Sequence, residues 1–262
     1  MTKREKELDR IAKLLIRRDL ELTAANERLE ELDRVKSNFI SVAAHQLRTP
    51  LSGIKWVLKM LIDGDAGELS EEQLKLVEDG FATSERMVTL INDFLDAARI
   101  DEGRFVYNKK EVEVRDLLES TMNNFLAVIE EKDLSLTYLL PKEGSTKVSA
   151  DVSRLAIVFD NLIENAINYT PPGGKIVISI KTTRSRVKFC VKDSGLGIPQ
   201  DQQSRIFTRF FRGSNVLKET QGTGLGLFIS RNIVEAHGGE IGFTSENGEG
   251  AEFCFSLPKL KE

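Results

Sequence analysis

Four groups of residues have types and spacings that could do chemistry. The first is His45, in "SVAAHQLRTPLSG" (41–53), one of only two histidines, flanked by Gln46, Arg48 and Thr49 and followed by the helix-breaking Pro50. A neutral imidazole is a good nucleophile near neutral pH. The second is "DNLIENAINYT" (160–170), where Asn161, Asn165 and Asn168 follow i, i+4, i+7 spacing and share one helix face. A carboxamide oxygen is a hard ligand suited to Mg²⁺, and its NH₂ can meet phosphate or bound water. The third is "VKDSGLGIP" (191–199), an aspartate closing a strand before two glycines. Asp193 can accept a hydrogen bond from an exocyclic amine while the glycines let a flat ring approach the backbone. The fourth is "QGTGLGLFISRNIVEAHGG" (221–239), in which Gly222, Gly224 and Gly226 lead into a helix. Amides and dipole at that helix start favour phosphate. The G-x-G-x-G spacing, with no strand just before it, is not a Rossmann fingerprint, and the Lys-Ser/Thr of a P-loop is missing.

The elements that must position these groups fall into two halves. From Leu8 to Phe39 apolar residues recur at heptad spacing (Leu8, Ile11, Leu15, Leu22, Ala25, Leu29, Leu32, Phe39), and a second seam follows (Ile40, Ala44, Leu47, Leu51, Ile54, Leu58, Leu61). The one-residue offset between them predicts a weak point near Lys36–Ser37. "DGDAG" (63–67) ends this helix, and Ser70 with Gln73 forms a capping box for the next, whose seam runs Leu74, Val77, Phe81, Ser84, Val88, Ile91, Leu95, Ala98. One antiparallel hairpin cannot cover both stripes; two can, as a four-helix bundle, so a symmetric homodimer is expected. His45 lies about 100° from the seam position Ala44, which points it outward. Pro50 removes the hydrogen bond to the Gln46 carbonyl. Trp56 lies about 20° from His45 on the same helix face and could anchor a docking partner or pack within the protein.

After about Gly103 the period changes. "KIVISI" and "VKFCV" alternate as strands joined through "TTRSR", and "GGEIGFTSENGEGAEFCFSLP" forms another hairpin. Helical stretches fall around 115–131, 151–169 and 225–237. Helices with mostly antiparallel strands predict an α+β class with a two-layer α/β sandwich. His237, before Gly238–Gly239, has a structural explanation as a helix end. The 262 residues are 40% hydrophobic and 30% charged with net charge −4, which argues against nucleic acid as a partner. Cys190 and Cys254 lie in apolar alternating stretches and are expected as buried thiols in a reducing compartment. The N-terminus lacks the apolar run of a signal peptide, and no segment approaches the ~20 apolar residues of a membrane span, so a cytoplasmic location is expected, as a free protein or the cytosolic part of a longer membrane-bound sensor.

Taken in order, these stretches resemble the sensor histidine kinases of two-component systems, from about Leu32 to Pro258. "HQLRTPL" is similar to their H-box, "NLIENAINYTP" to the N-box, "DSGLGIP" to the first glycine box, "IFTRFFRG" to the phenylalanine box and "GTGLGL" to the second glycine box. The resemblance implies a signalling helix (1–36), a dimerising phosphotransfer hairpin (37–103) and a catalytic ATP-binding domain (104–262). It implies His45 as phosphoacceptor, with Gln46 and Thr49 beside it; Asn165 as the Mg²⁺ ligand, with Asn161 supporting metal and phosphates and Asn168 nearby; and Asp193 on the adenine amino group. Gly195, Gly197, Ile198 and Tyr169 would shape the base pocket. "RGSNVLKETQ" (212–221) would be the ATP lid, with Arg209 or Arg212 as a γ-phosphate contact. The run Gly222, Thr223, Gly224, Leu225, Gly226 and Leu227 would wrap the phosphates. Implied cofactors are ATP and Mg²⁺. Implied partners are a second copy, a response regulator receiver domain and an upstream sensor domain or protein.

Two positions depart from the family pattern. The residue after the histidine is usually acidic and here is Gln46, which orients an imidazole but cannot take its proton. The N-box usually carries a basic residue where this chain has Asn168. Two other readings compete: an ATP-hydrolysing conformational switch, disfavoured because Asn161 stands where such relatives place an acidic residue, and a non-catalytic ATP-binding dimeric scaffold.

Overall fold

The computed structural model describes residues 3–101, 105–141, 146–214 and 222–260. The chain divides into two compact units, Met1–Gly103 and Arg104–Glu262.

The first unit is two helices, α1 (Lys3–Ile62) and α2 (Glu71–Asp101). The helix runs unbroken through Lys36–Ser37, where the heptad phase shifts, and through Pro50. Two glycines at positive φ, Gly64 (+83°) and Gly67 (+107°), make the turn that reverses the chain. The capping box forms: Gln73 N–H donates to Ser70 Oγ at 3.3 Å, and Ser70 N–H to Gln73 Oε1 at 2.9 Å. Every residue of the α2 seam, Leu74 through Ala98, is buried or half-buried, with Ser84 and Leu95 deepest. The α1 seam is covered unevenly. Ala44 and Leu51 are buried, whereas Leu47 and Ile54 stay 54% and 50% exposed. Farther up, Leu15, Leu22, Leu29, Leu32 and Phe39 of the first heptad series are exposed; the side chains of Leu8 and Ile11 lie outside the described residues. No helix of the described residues is long and apolar enough to cross a membrane.

The second unit is built from β1 (Lys110–Glu113), α3 (Val114–Met122), α4 (Leu126–Glu131), β2 (Ser135–Leu139), β3 (Lys147–Ala150), α5 (Val152–Tyr169), β4 (Lys175–Thr182), β5 (Arg186–Asp193), α6 (Gly226–Ala236), β6 (Glu240–Glu246) and β7 (Gly250–Pro258). The main sheet has the order β2-β4-β5-β7-β6. It is antiparallel except that β2 runs parallel to β4. β1 and β3 form a separate antiparallel pair. The alternating strands bury one face: Ile176, Ile178 and Ile180 of β4, Val187, Phe189 and Val191 of β5, Phe253, Phe255 and Leu257 of β7. Phe159 of α5 seats on Phe189 and Phe255 with ring centroids 4.5 and 5.4 Å away, in the edge-on geometry aromatic pairs prefer. The opposite sheet face displays Lys181, Lys188 and Lys192, all exposed. The unit is thus the two-layer α+β sandwich expected.

The cysteines correct the sequence reading. Register places Cys190 of β5 directly opposite Cys254 of β7 with 4.1 Å between Cα atoms, and the two are joined as a disulfide rather than lying as separate thiols.

Candidate functional site

In the first unit His45 is exposed on α1 one residue past the buried Ala44, as the seam geometry requires. Gln46, Thr49 and Pro50 are exposed around it. Thr49 Oγ1 donates to the His45 carbonyl at 3.2 Å, and Pro50 supplies no amide for the Gln46 carbonyl. Two successive carbonyls just below the histidine therefore depart from plain helical bonding, which permits a local bend. Arg48 reaches the other way, to Asn92 of α2 at 2.6 Å. Two turns on, Lys55 pairs with Glu85 at 2.5 Å. Trp56 is 65% exposed.

In the second unit the asparagine stripe sits on the half-buried flank of α5, whose other face, with Leu155, Phe159, Leu162, Ile163 and Ala166, is core. Asp151 caps the helix by accepting from Arg154 N–H. Burial pushes its carboxyl up, but bonds from Ser153, Asn108 and Arg154 together outweigh this and hold it below its ordinary value. Asn161 Nδ2 donates to the Gly226 carbonyl and to Ser230 Oγ, each at 3.3 Å, tying α5 to the start of α6. The approach is close: a Cβ at Gly226 would lie 2.7 Å from Asn161 Oδ1. Asn165 and Asn168 follow one and two turns later. On the adjoining flank, burial and then the nearby Glu164 push the Asp160 carboxyl up.

Asp193 ends β5 and is 5% exposed. Its Oδ1 accepts from Gly195 N–H at 2.8 Å and Ala251 N–H at 3.2 Å. Burial raises its pKa, and those backbone bonds oppose the rise. The loop beyond it is fixed by backbone contacts that only glycine tolerates. A Cβ at Gly195 would lie 2.2 Å from the Tyr169 carbonyl oxygen, and one at Gly197 (φ +63°) 2.0 Å from that of Glu246. Leu196 N–H donates to the Tyr169 carbonyl, so Tyr169 serves the loop through its backbone. Ile198 N–H donates to Ser245 Oγ at 2.9 Å.

The glycine box precedes α6 as a turn. Thr223 Oγ1 accepts from Leu225 N–H at 3.1 Å, Leu225 is fully buried, and Gly222 is exposed. The N-cap residue of α6, Leu225, makes no side-chain cap hydrogen bond. Gly224, at φ +69°, would place a Cβ 2.7 Å from the carbonyl carbon of Phe210, itself at φ +58°. Gly226 and Leu227, which open α6, are half-buried. Arg209 lies over the Phe228 ring at 4.6 Å, and Arg205 over Phe211 at 4.8 Å. Of the expected lid, Arg212 to Ser214 are described, and residues 215–221 lie outside the described residues.

Three groups were missed from sequence. Ala251 supplies the second amide to Asp193. Gly250 (φ +93°) would place a Cβ 2.1 Å from the Asp193 carbonyl oxygen. Ser245 accepts from Ile198 N–H and donates to the Gly250 carbonyl. Their signal was the glycine-rich "SENGEGA" (245–251) leading into a strand, read only as part of a hairpin. His237 proves structural. It is 5% exposed, its Nε2 accepts from Asp151 N–H at 2.9 Å, and its Nδ1 lies 2.7 Å from the Ile233 carbonyl.

Comparison with known proteins agrees with this geometry. Residues 35–103 match the His Kinase A (phospho-acceptor) domain. Residues 150–261 match the histidine kinase-, DNA gyrase B- and HSP90-like ATPase family. Sensor protein GacS of Pseudomonas syringae pv. syringae is 32% identical over 251 residues, covering 93% of this chain, which itself spans only 27% of that relative's length. The crystal structure of full-length ShkA in complex with AMPPNP superposes with a TM-score of 0.71 at 27% identity, over 85% of this chain and 46% of that one. The catalytic domain of histidine kinase ThkA matches with a TM-score of 0.52 at 31% identity, over 58% of this chain and 98% of that domain. Two family matches in this order, with a solved kinase domain matched over nearly its whole length, place this chain in the two-component sensor histidine kinase family.

Proposed function

We propose that the chain is the catalytic core of a two-component histidine kinase, which moves the γ-phosphoryl group of ATP onto His45 and then onto an aspartate of a response regulator receiver domain. One observation carries the nucleotide half of this reading. Asp193 is buried with the Gly195 and Ala251 amides both on Oδ1, and its Oδ2 would accept from the adenine amino group, beside a loop that glycines keep open. Gly195, Gly197 and Ile198 would line the base, and the first-turn amides of α6 with Gly222, Thr223 and Gly224 would meet the phosphates. AMPPNP, an ATP analogue, is what the ShkA structure holds.

The residues present fit a Mg²⁺–ATP complex. Asn165 offers a half-buried carboxamide, and the acidic flank of Asp160 and Glu164 suits a divalent cation. Bound Mg²⁺ would neutralise charge on the phosphates. Asn165 would hold its position, Asn161 would keep α6 against α5, and Arg209 or Arg212 would meet the γ-phosphate. His45, exposed on α1, would attack in line, because this transfer needs positioning and charge neutralisation more than covalent activation. Gln46 would orient the ring without taking its proton, and Thr49 would hold water for dephosphorylating the regulator. The exposed seam residues Leu47 and Ile54 support a homodimer. An upstream sensor would act through α1.

Incubation with γ-labelled ATP and Mg²⁺ tests this. Acid-labile, alkali-stable label on the protein, lost in His45→Ala, is the expected result. Free phosphate without protein label would instead indicate hydrolysis, and neither product a scaffold.

A further inference from the structure

The Cys190–Cys254 bridge lies on the sheet face opposite the helical layer. Along β5 the side chains of Lys188, Cys190 and Lys192 share that face, and along β7 those of Glu252, Cys254 and Ser256. Both lysines are exposed; Cys190 is 6% exposed and Cys254 half-buried. Structural disulfides serve most where a chain has little core, yet this unit has a full one, with Phe159, Phe189 and Phe255 almost entirely buried. The bridge is also close to the nucleotide-facing end of both strands. Asp193 is three residues beyond Cys190, and Ala251 three before Cys254. On these paired strands three residues span about 10 Å. Ala251 is the residue whose amide holds Asp193 Oδ1.

We propose that Cys190 and Cys254 are a reversible thiol–disulfide site, opened and closed by exchange with small-molecule thiols and disulfides, whose state sets how firmly β7 holds Asp193. In the opening direction a thiolate attacks the Sγ of Cys254, the more exposed residue of the two, and Cys190 leaves as thiolate. A second thiolate attacks the outer sulfur of the mixed disulfide, releasing a small-molecule disulfide and the Cys254 thiolate. Two protons then convert both cysteines to thiols. Two small-molecule thiolates are oxidised as one protein disulfide is reduced, and a small-molecule disulfide drives the reverse. Lys188 and Lys192 flank Cys190 on its own strand and face, which favours thiolate, while the Glu252 carboxylate, within 4.8 Å of both sulfurs, opposes it. With the bridge closed β7 is pinned against β5 and Ala251 N–H stays on Asp193. With it open, backbone pairing and the buried Phe253, Phe255 and Leu257 keep that register without the covalent tie. The coupling to nucleotide rests on the assignment of Asp193 to adenine binding; the exchange itself does not.

The test uses the full chain, treated with dithiothreitol or with glutathione disulfide, without denaturant. Bridge state is read by maleimide–polyethylene glycol gel shift, and AMPPNP affinity by calorimetry. The expected result is a bridge that opens and re-forms in the folded protein, with affinity at least about fivefold weaker when open, the low end of typical coupling between sites. Cys254→Ala should bind like the open form under both treatments. A bridge that opens only in denaturant overturns the exchange. Equal affinity in both states overturns the coupling, even if Cys254→Ala fails to fold. Binding in neither state removes the Asp193 assignment and the coupling with it, while the gel shift still decides the exchange.

Discussion

At the scale of single residues, the same kind of group is turned to different work by burial and bonding. Asp151 and Asp193 are both buried aspartates that accept two backbone amides, yet the first is held below its ordinary pKa and the second above it. Burial dominates at Asp193, whereas at Asp151 it is lighter and is outweighed by the bonds from Ser153, Asn108 and Arg154 and by the Arg154 charge. For Asp193, Asn keeps the shape and removes the charge. Asp193→Asn should weaken ATP-analogue binding about ten- to hundredfold by calorimetry, the worth of a hydrogen bond to a charged group. Unchanged affinity would remove the adenine assignment. His237 gives a stability prediction. Burial lowers its pKa below about 6.5, Lys109 adds to this, and the Ile233 bond and Asp151 oppose it. The folded state therefore favours the neutral ring, and the unfolded chain takes up the proton first. Its contribution is complete above about 6.5 and is lost as pH falls from there through the lower folded value. Thermal midpoints should fall from pH 7.5 to 5.5, and His237→Phe should flatten part of that fall while costing about 1–3 kcal/mol for the Asp151 amide left without its acceptor.

At the scale of elements, what could be read from the sequence was whatever rests on local spacing. The capping box at Ser70–Gln73 formed as written, because its partners are three residues apart. Ser70→Ala should lower stability by about 1 kcal/mol in chemical denaturation without changing nucleotide affinity. The β4–β5 hairpin and α5 were visible from alternation and from the i, i+4, i+7 stripe. The short strands β1, β2 and β3 were not. Each has four or five residues, and their pairings reach 34 to 40 positions along the chain, as in Lys110 with Ala150 and Ser135 with Lys175. Nothing in "SLTYL" announces a partner in "KIVIS". The site divided in the same way. His45, the asparagines and the glycine boxes carry chemistry in their residue types. Ala251 contributes only a backbone amide from another strand, which no side chain advertises. The cysteine pairing was hidden likewise, since it depends on the register of β5 with β7 and not on either sequence alone.

At the scale of the whole molecule, the α1 seam is unfinished within one chain. Leu47 and Ile54 belong to the same stripe as the buried Ala44 and Leu51, but remain half exposed. A second copy would bury them, so sedimentation equilibrium should report a dimer, and Ile54→Glu should shift it toward monomer by placing a charge in that seam. A variant that stays dimeric would move the interface elsewhere. The sheet order of the second unit has a different consequence, one of time rather than of place. β7, last of the strands in chain order, is an interior strand, seated between β5 and β6. Until it arrives β5 has an open edge, and β6 has no neighbour at all. The sheet can grow through β2, β4 and β5 in chain order, but it cannot take in β6 before β7. Its sheet is completed only when the last strand arrives and joins β6 to the rest, whereas the helical hairpin is held by two helices adjacent in sequence.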